Sequence, residues 1–208
     1  MEDKIAFWLI CLLAGLTAVP LFAILGEVFL RGYDQLTWSF FTEPTPTAYR
    51  AMKAIEAGEP IPGGIANGIV GTLIMLGMAV VVAVPLGILC GAFLAENSKS
   101  RFAQVVSYLT DLLQGTPSVI IGIITYIWVV VPMKGYSAIA GSVALCIMML
   151  PLIIRSTEET LKILPSSLKE AGLALGGNSA RVMMKVQLPA AFGGIFTGVL
   201  LAISRVIG

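Results

Sequence analysis

The residues best suited to chemistry in this chain are cationic and few. Arg155 and Glu158 lie three positions apart, so on a helix they share a face and can pair. Arg205 lies about 16 residues past Leu188-Pro189, which places it roughly 24 Å along the last candidate span. A guanidinium offers a planar fork of donors that matches the oxygens of an oxyanion. A lone arginine deep in hydrocarbon costs at least ~2.5 kcal/mol, so Arg205 is expected to face a cavity or a partner. Plainer readings stand beside these: Arg155 as a flank snorkelling to the inner interface, and Arg205 at the outer interface. Elsewhere in the chain is a polar stripe, Gln104, Ser107, Asp111 and Gln114, opposite an apolar face of Phe102, Val105, Val106, Leu109, Leu112 and Leu113. Such a helix lies in an interface or lines a wet cavity. Asp111 then either binds or relays something, or reaches interfacial water.

Several chemistries are excluded or unsupported. The sequence has no histidine, which removes histidine-based zinc sites and imidazole bases. Cys11, Cys90 and Cys146 sit in three separate apolar runs without C-x-x-C spacing, and read as small buried hydrophobes. A net charge of +1 gives no electrostatic footprint for nucleic acid. No G-x-x-x-x-G-K-[ST] loop is present, so ATP hydrolysis is expected on another chain. No catalytic residue, metal site or cofactor is expected.

The elements that must position these residues are membrane helices. Of 208 residues 57% are hydrophobic and only 12% charged, about half the charge of a soluble domain, which averages roughly 25%. Apolar runs cover Ile5–Leu25, Ile69–Ala95, Val119–Val131, Ile139–Ile154 and Ala190–Ile203. A bilayer core needs about 20 helical residues; the first two runs suffice alone and the others with their flanks. The expected fold is all-α, a polytopic bundle of about five spans forming a single transmembrane domain over residues 1–208. The first run is too long for a signal peptide and lacks a cleavage site, so residues 1–30 are read as a retained span. Residues 31–64 form a hydrophilic external loop with Pro44, Pro46, Pro60, Pro62 and seven charges, containing one short helix over Ala48–Ala57. Its aromatic start, with Tyr33, Trp38, Phe40 and Phe41, suits the membrane edge. Gly115-Thr116-Pro117-Ser118 interrupts Phe102–Val131, which is too long for one straight span. Gly64/Gly68, Gly87/Gly91 and Gly194/Gly198 are small-residue pairs that let helices approach closely.

Orientation follows from basic residues in alternate loops. Lys4, Lys99, Arg101, Arg155, Lys162, Lys169, Arg181 and Lys185 fall on one side, against Arg31, Arg50, Lys53 and Lys134 on the other. The richer side is expected to be cytoplasmic, with the N-terminus inside.

The cytoplasmic loop within 155–189 is the most distinctive segment. Ser167 and Glu170 have capping-box spacing, predicting a helix start. Leu168, Ala171, Gly172 and Leu175 then share a face, Gly176-Gly177 ends the helix, and Asn178 or Ser179 caps a second one running to Pro189. The small face of Ala171 and Gly172 suits close approach by a partner; an ordinary amphipathic connector is the alternative.

Glu170-Ala171-Gly172, three residues, Gly176, nine residues, then Val186-Gln187-Leu188-Pro189 resembles the EAA loop of ABC-importer permeases. Gly172 and Val186 stand where that pattern has alanine and isoleucine. Gly63-Gly64-Ile65-Ala66-Asn67, Pro85-Leu86-Gly87-Ile88, Leu94-Ala95-Glu96, the run from Gly115 to Gly122 and Pro151–Glu159 further resemble phosphate-importer permeases. The Arg-Ser-Thr-Glu-Glu run over 155–159 is similar to that of the A-type subunit. The resemblance covers about 63–208. It implies a subunit that supplies half of a pore in a bacterial inner membrane, surrounded by lipid. The implied partners are an ATP-binding ABC subunit, a second, C-type permease subunit and a periplasmic phosphate-binding protein. It implies coupling to the ATPase through Glu170, Ala171, Gly172 and Gly176, and a substrate path through Arg155, Glu158 and Arg205. The family pattern continues past the position of Gly208 with Glu-Thr-Ala-Pro and at least one more membrane helix, so the resemblance implies a fragment. Permeases for another oxyanion or small solute, and a membrane-embedded enzyme, are the alternatives.

Overall fold

The computed structural model describes residues 2–59 and 61–207; Pro60, counted above in the loop, and both terminal residues lie outside the described residues. The side chains of 2–6, Leu9 and Gln35 do too, Lys4 among them. Among the described residues every regular element is helical. The backbone divides into two compact units, one ending at Val70 and the other starting at Gly71.

In the first unit, α1 (Glu2–Gly32) carries a 23-residue stretch, Ile10–Gly32, apolar and long enough to cross a membrane. Its large side chains, Trp8, Phe22 and Leu30 among them, are exposed all round, as suits a helix solvated by lipid rather than by a protein core. The helix runs seven residues beyond the apolar run, and Arg31 pairs with Glu27 at 2.6 Å on its last turns. The hydrophilic stretch is not all loop: α2 (Trp38–Thr42) precedes α3 (Ala48–Ala57), the latter with the bounds expected from sequence. The stretch folds back on the start of α4 (Ala66–Glu96): Gly64, Ile65 and Ala66 donate backbone N–H groups to the carbonyls of Pro44, Phe40 and Glu43. Asn67 Oδ1 accepts from Thr45 N and Oγ1 at 3.1 and 2.7 Å. These contacts explain the Gly63-Gly64 pair. Gly63 has φ +104°, and a Cβ on Gly64 would lie 2.0 Å from the Phe40 carbonyl oxygen. Gly64 therefore seats the loop, while among the described residues nothing lies within 4 Å of a Cβ added to Gly68.

The second unit is built around α8. After α4 come α5 (Arg101–Gly115), α6 (Ser118–Thr125), a π turn (Tyr126–Val130) and α7 (Val131–Met133). Then follow α8 (Ala138–Ile163), α9 (Ser166–Ala174), α10 (Ser179–Val182), a second π turn (Met183–Gln187), α11 (Leu188–Ala190) and α12 (Phe192–Ile207). Among the described residues of this unit, α4 and α8 are the single helices long and apolar enough to span; Arg101–Met133 and Ser179–Ile207 qualify as bent pairs, at 104° and 72°. With α1, that makes three straight candidate spans, and five if each bent pair counts as one. The first bend falls at the interruption read from sequence: Pro117 disfavours helix at Thr116, which is extended at ψ 129°.

Two of the glycine pairs do seat helices. Added Cβ atoms at Gly87 and Gly91 would lie 2.6 Å from Ile153 Cγ2 and from the Ile154 carbonyl oxygen, so α4 rides directly on α8. Gly194 and Gly198 do the same for α12, against Thr160 and Ser156. Ala79, Ala83, Met149, Ile153 and Ala202 form the core where these three helices meet. The α5 helix inverts the soluble pattern. Its buried residues are Ala103 and Thr110, while Phe102, Val105, Leu109 and Leu112 point outward. In lipid the apolar face needs no protein cover, so small residues take the helix contact.

Candidate functional site

The polar stripe of α5 is where the chemistry gathers. Arg155, in the C-terminal half of α8, donates Nε to Asp111 Oδ1 at 2.9 Å, and its Nη2 lies 2.6 Å from the same oxygen. Nη1 donates to Glu158 Oε2 at 2.6 Å, and Nη2 also reaches the Ser107 carbonyl and Oγ at 2.9 and 2.8 Å. Glu158 is only 5% exposed and accepts from Lys162 Nζ through its other oxygen, at 2.6 Å. The pair expected from the 155/158 spacing is therefore present, and it sits inside a larger array of two cations and two carboxylates joining α5 to α8. The Arg155 fork points sideways into α5. Lys162 was legible at four residues from Glu158. Ser107 and Asp111, 48 and 44 residues from Arg155, carried only the signal of their stripe.

One turn further along that stripe, Gln114 opens onto a cavity of about 320 Å³ at the α5–α6 bend. Its polar lining is Gln114, Thr116, Ser118 and Arg205, and Pro151 of α8 closes one side. Arg205, exposed on the last turn of α12, thus faces a cavity, the first of the two placements open from sequence. The bend at Thr116-Pro117, a defect in a simple span, is what makes room for polar groups there. Non-helical backbone at membrane depth is tolerated where it lines a cavity.

The loop between α8 and α12 folds as two short helices, with one correction to the reading from sequence. Helix α9 starts at Ser166 behind Pro165, whose φ of −59° is set for helix entry, and no side chain caps it. Ser167 is therefore inside the helix, and the Ser167/Glu170 capping box does not form; Glu170 is exposed. The end of α9 is as expected. Gly176 has φ +80° and donates to the Leu173 carbonyl at 2.9 Å, while Gly177 donates to that of Gly172 at 3.2 Å, the paired bonds of a Schellman turn. Asn178 caps α10 by accepting from Arg181 N at 2.8 Å. Gly172 is approached by Val182 of the same loop, 2.8 Å from where its Cβ would stand, so its smallness lets the hairpin close. Glu170, Ala171 and Gly176 remain on the outer surface with Leu175, an apolar side chain 90% exposed.

The hairpin is pinned to the membrane helices by Glu96, the last residue of α4. Its Oε1 accepts from Lys169 Nζ of α9 and from Ser179 Oγ of α10, both at 2.6 Å. Separations of 73 and 83 residues left no sequence signal for this clamp.

Residues 83–208 match the family described as "Binding-protein-dependent transport system inner membrane component". The chain belongs to this family. The match takes in the C-terminal part of α4 and all of the arginine network, the bent cavity and the 166–190 hairpin. Among individual relatives, "Phosphate transport system permease protein PstA" of Yersinia pestis is 39% identical over 186 residues, 89% of this chain and 60% of that protein. The protein of the same name from Haemophilus influenzae is 35% identical, with 89% and 62% covered. "Phosphate transport system permease protein PstA 1" of Mycobacterium tuberculosis is 32% identical over 191 residues, 91% and 60%. The chain spans about 60% of the length of these curated relatives. Family membership and the apolar helices agree on a multi-pass membrane protein of a transport system.

Proposed function

We propose that this chain is the A-type permease subunit of an ATP-driven phosphate importer, with 1–208 acting as one transmembrane domain. It is not itself an enzyme in this reading: an ABC subunit hydrolyses ATP, a C-type permease completes the pore, and a periplasmic binding protein delivers phosphate. The membrane is the bacterial inner membrane, with the N-terminus and the 155–189 hairpin in the cytoplasm. Glu170, Ala171 and Gly176, with Gly172 holding the hairpin closed, serve coupling to the ATPase. Arg155, Glu158 and Arg205 serve the anion path.

The observation that carries this reading is the pair of arginines at successive turns of the α5 stripe, in a chain so similar to proteins named phosphate permeases. Phosphate near neutral pH bears one to two negative charges and needs cationic, directional donors to leave water. Arg205 stands in a polar cavity, and Arg155 follows a turn away. Closing of the ATPase dimer would move the hairpin, and Glu96 would transmit that movement to α4. Such a cycle requires the two pore states to differ in affinity for ATP and for loaded binding protein.

Uptake of radiolabelled phosphate by cells expressing the full-length protein tests the path. Arg155→Gln and Arg205→Gln are expected to abolish uptake while membrane insertion and co-purification with the ATPase persist. Normal uptake in both variants removes the arginines from the path. Uptake of sulfate at a rate equal to phosphate would move the substrate to oxyanions in general.

A further inference from the structure

Every nitrogen of the Arg155 guanidinium already donates in this network, so neither edge of its fork is open to a bidentate grip by an incoming anion. Nε, Nη1 and Nη2 of Arg155 are all engaged, and the two cations of the array are matched by two carboxylates. An oxyanion taking Arg155 must therefore displace something. Glu158 is a poor candidate. It is buried, both its oxygens are in use, and pulling Arg155 away would leave its charge in low dielectric with only half-exposed Lys162 to compensate. Asp111 is its opposite. Its side chain is 59% exposed, so a freed carboxylate can be solvated where it stands, and Arg155 is its sole ion-pair partner among the described residues.

We propose that Asp111 is the displaceable counter-ion of this site: its carboxylate occupies the Arg155 fork in the empty state, and a phosphate oxygen replaces it there. The exchange swaps one carboxylate–guanidinium pair for a phosphate–guanidinium pair, with Ser107 Oγ left at the fork as a neutral hydrogen-bonding group. Asp111 is thus a residue that sets anion affinity by competing for the donor, and the pair that opens is 111–155 and not 155–158. This rests on Arg155 being part of the anion path, and the experiment separates the two claims.

Equilibrium binding of radiolabelled inorganic phosphate is measured on the complete transporter in lipid nanodiscs, without the binding protein, so that only the membrane site is read. Asp111→Asn keeps the shape and removes the competing charge; it is expected to tighten binding about fivefold, the scale of losing a half-exposed ion pair. Asp111→Glu is expected to bind like the natural protein, and Arg155→Gln to lose binding in either background. Asp111→Ser, smaller and uncharged, must follow Asp111→Asn. If Arg155→Gln loses binding but both uncharged Asp111 variants bind phosphate no tighter, Asp111 is not the displaced group and the inference falls alone. If Arg155→Gln leaves binding unchanged, the anion path through Arg155 falls, and the inference with it.

Discussion

Replacing Gly91 by alanine puts a methyl group into the tightest seam between α4 and α8, one turn from the arginine network. The new Cβ would stand 2.6 Å from the Ile154 carbonyl oxygen and 2.7 Å from Thr157 Cβ, where ordinary contact begins at 3.4 Å. Neither neighbour can rotate away, since one is backbone and Thr157 is fully buried. The helices must therefore separate by about 0.8 Å. Overpacking of this kind costs about 1–3 kcal/mol. Alanine also gains about 1 kcal/mol over glycine in a helix, which blurs the measurement unless a control shares it. Gly122 on α6 is that control: it too is helical, and nothing lies within 4 Å of its added Cβ. Thermal unfolding of the full-length protein in detergent is the assay. Gly91→Ala is expected to fall below Gly122→Ala by about 1–3 kcal/mol, at roughly 2–4 °C per kcal/mol for a chain of this size. Equal midpoints, or a higher one for Gly91→Ala, would refute the packing of α4 on α8.

Glu96→Ala is expected to leave the membrane helices folded but cut transport-coupled ATPase activity, measured in proteoliposomes, because α9 and α10 lose their shared acceptor. The swap Glu96→Lys with Lys169→Glu should recover part of it, and no recovery would deny the clamp. Gly176→Val should weaken co-purification with the ATPase, since φ +80° costs an ordinary L-residue about 1–2 kcal/mol; full co-purification would show that the turn is not needed for docking. For orientation, in a cysteine-free background, Tyr49→Cys should react with an impermeant maleimide on intact cells and Leu175→Cys only after permeabilisation. Both side chains are exposed, so the reverse pattern would invert the topology.

What the sequence made legible was whatever depends on neighbours along the chain. Ala48–Ala57, the break at Thr116-Pro117, the Schellman turn at Gly176 and the 155/158 pair all follow from local spacing and backbone preference. The capping box failed for a local reason too: Pro165 moved the helix start upstream, and the box pattern does not register a proline placed there. Contacts set by tertiary placement stayed hidden. The stripe on α5 pointed to a wet surface, but nothing in it named Arg155 as its occupant. Glu96 directly follows the apolar run Ile69–Ala95, and only the folded hairpin brings Lys169 and Ser179 to it. Glycine pairs illustrate the limit well, because the same spacing seats a helix at 87/91 and 194/198 but a loop at 64.

The central claim, a phosphate path that needs both arginines, is tested most directly by ATP-driven phosphate accumulation in proteoliposomes. These would hold the full-length protein with its ATPase and second permease, with loaded binding protein outside. The account predicts accumulation that requires ATP and is lost in Arg155→Gln and in Arg205→Gln, although both variants assemble. Undiminished accumulation with either arginine replaced would contradict it.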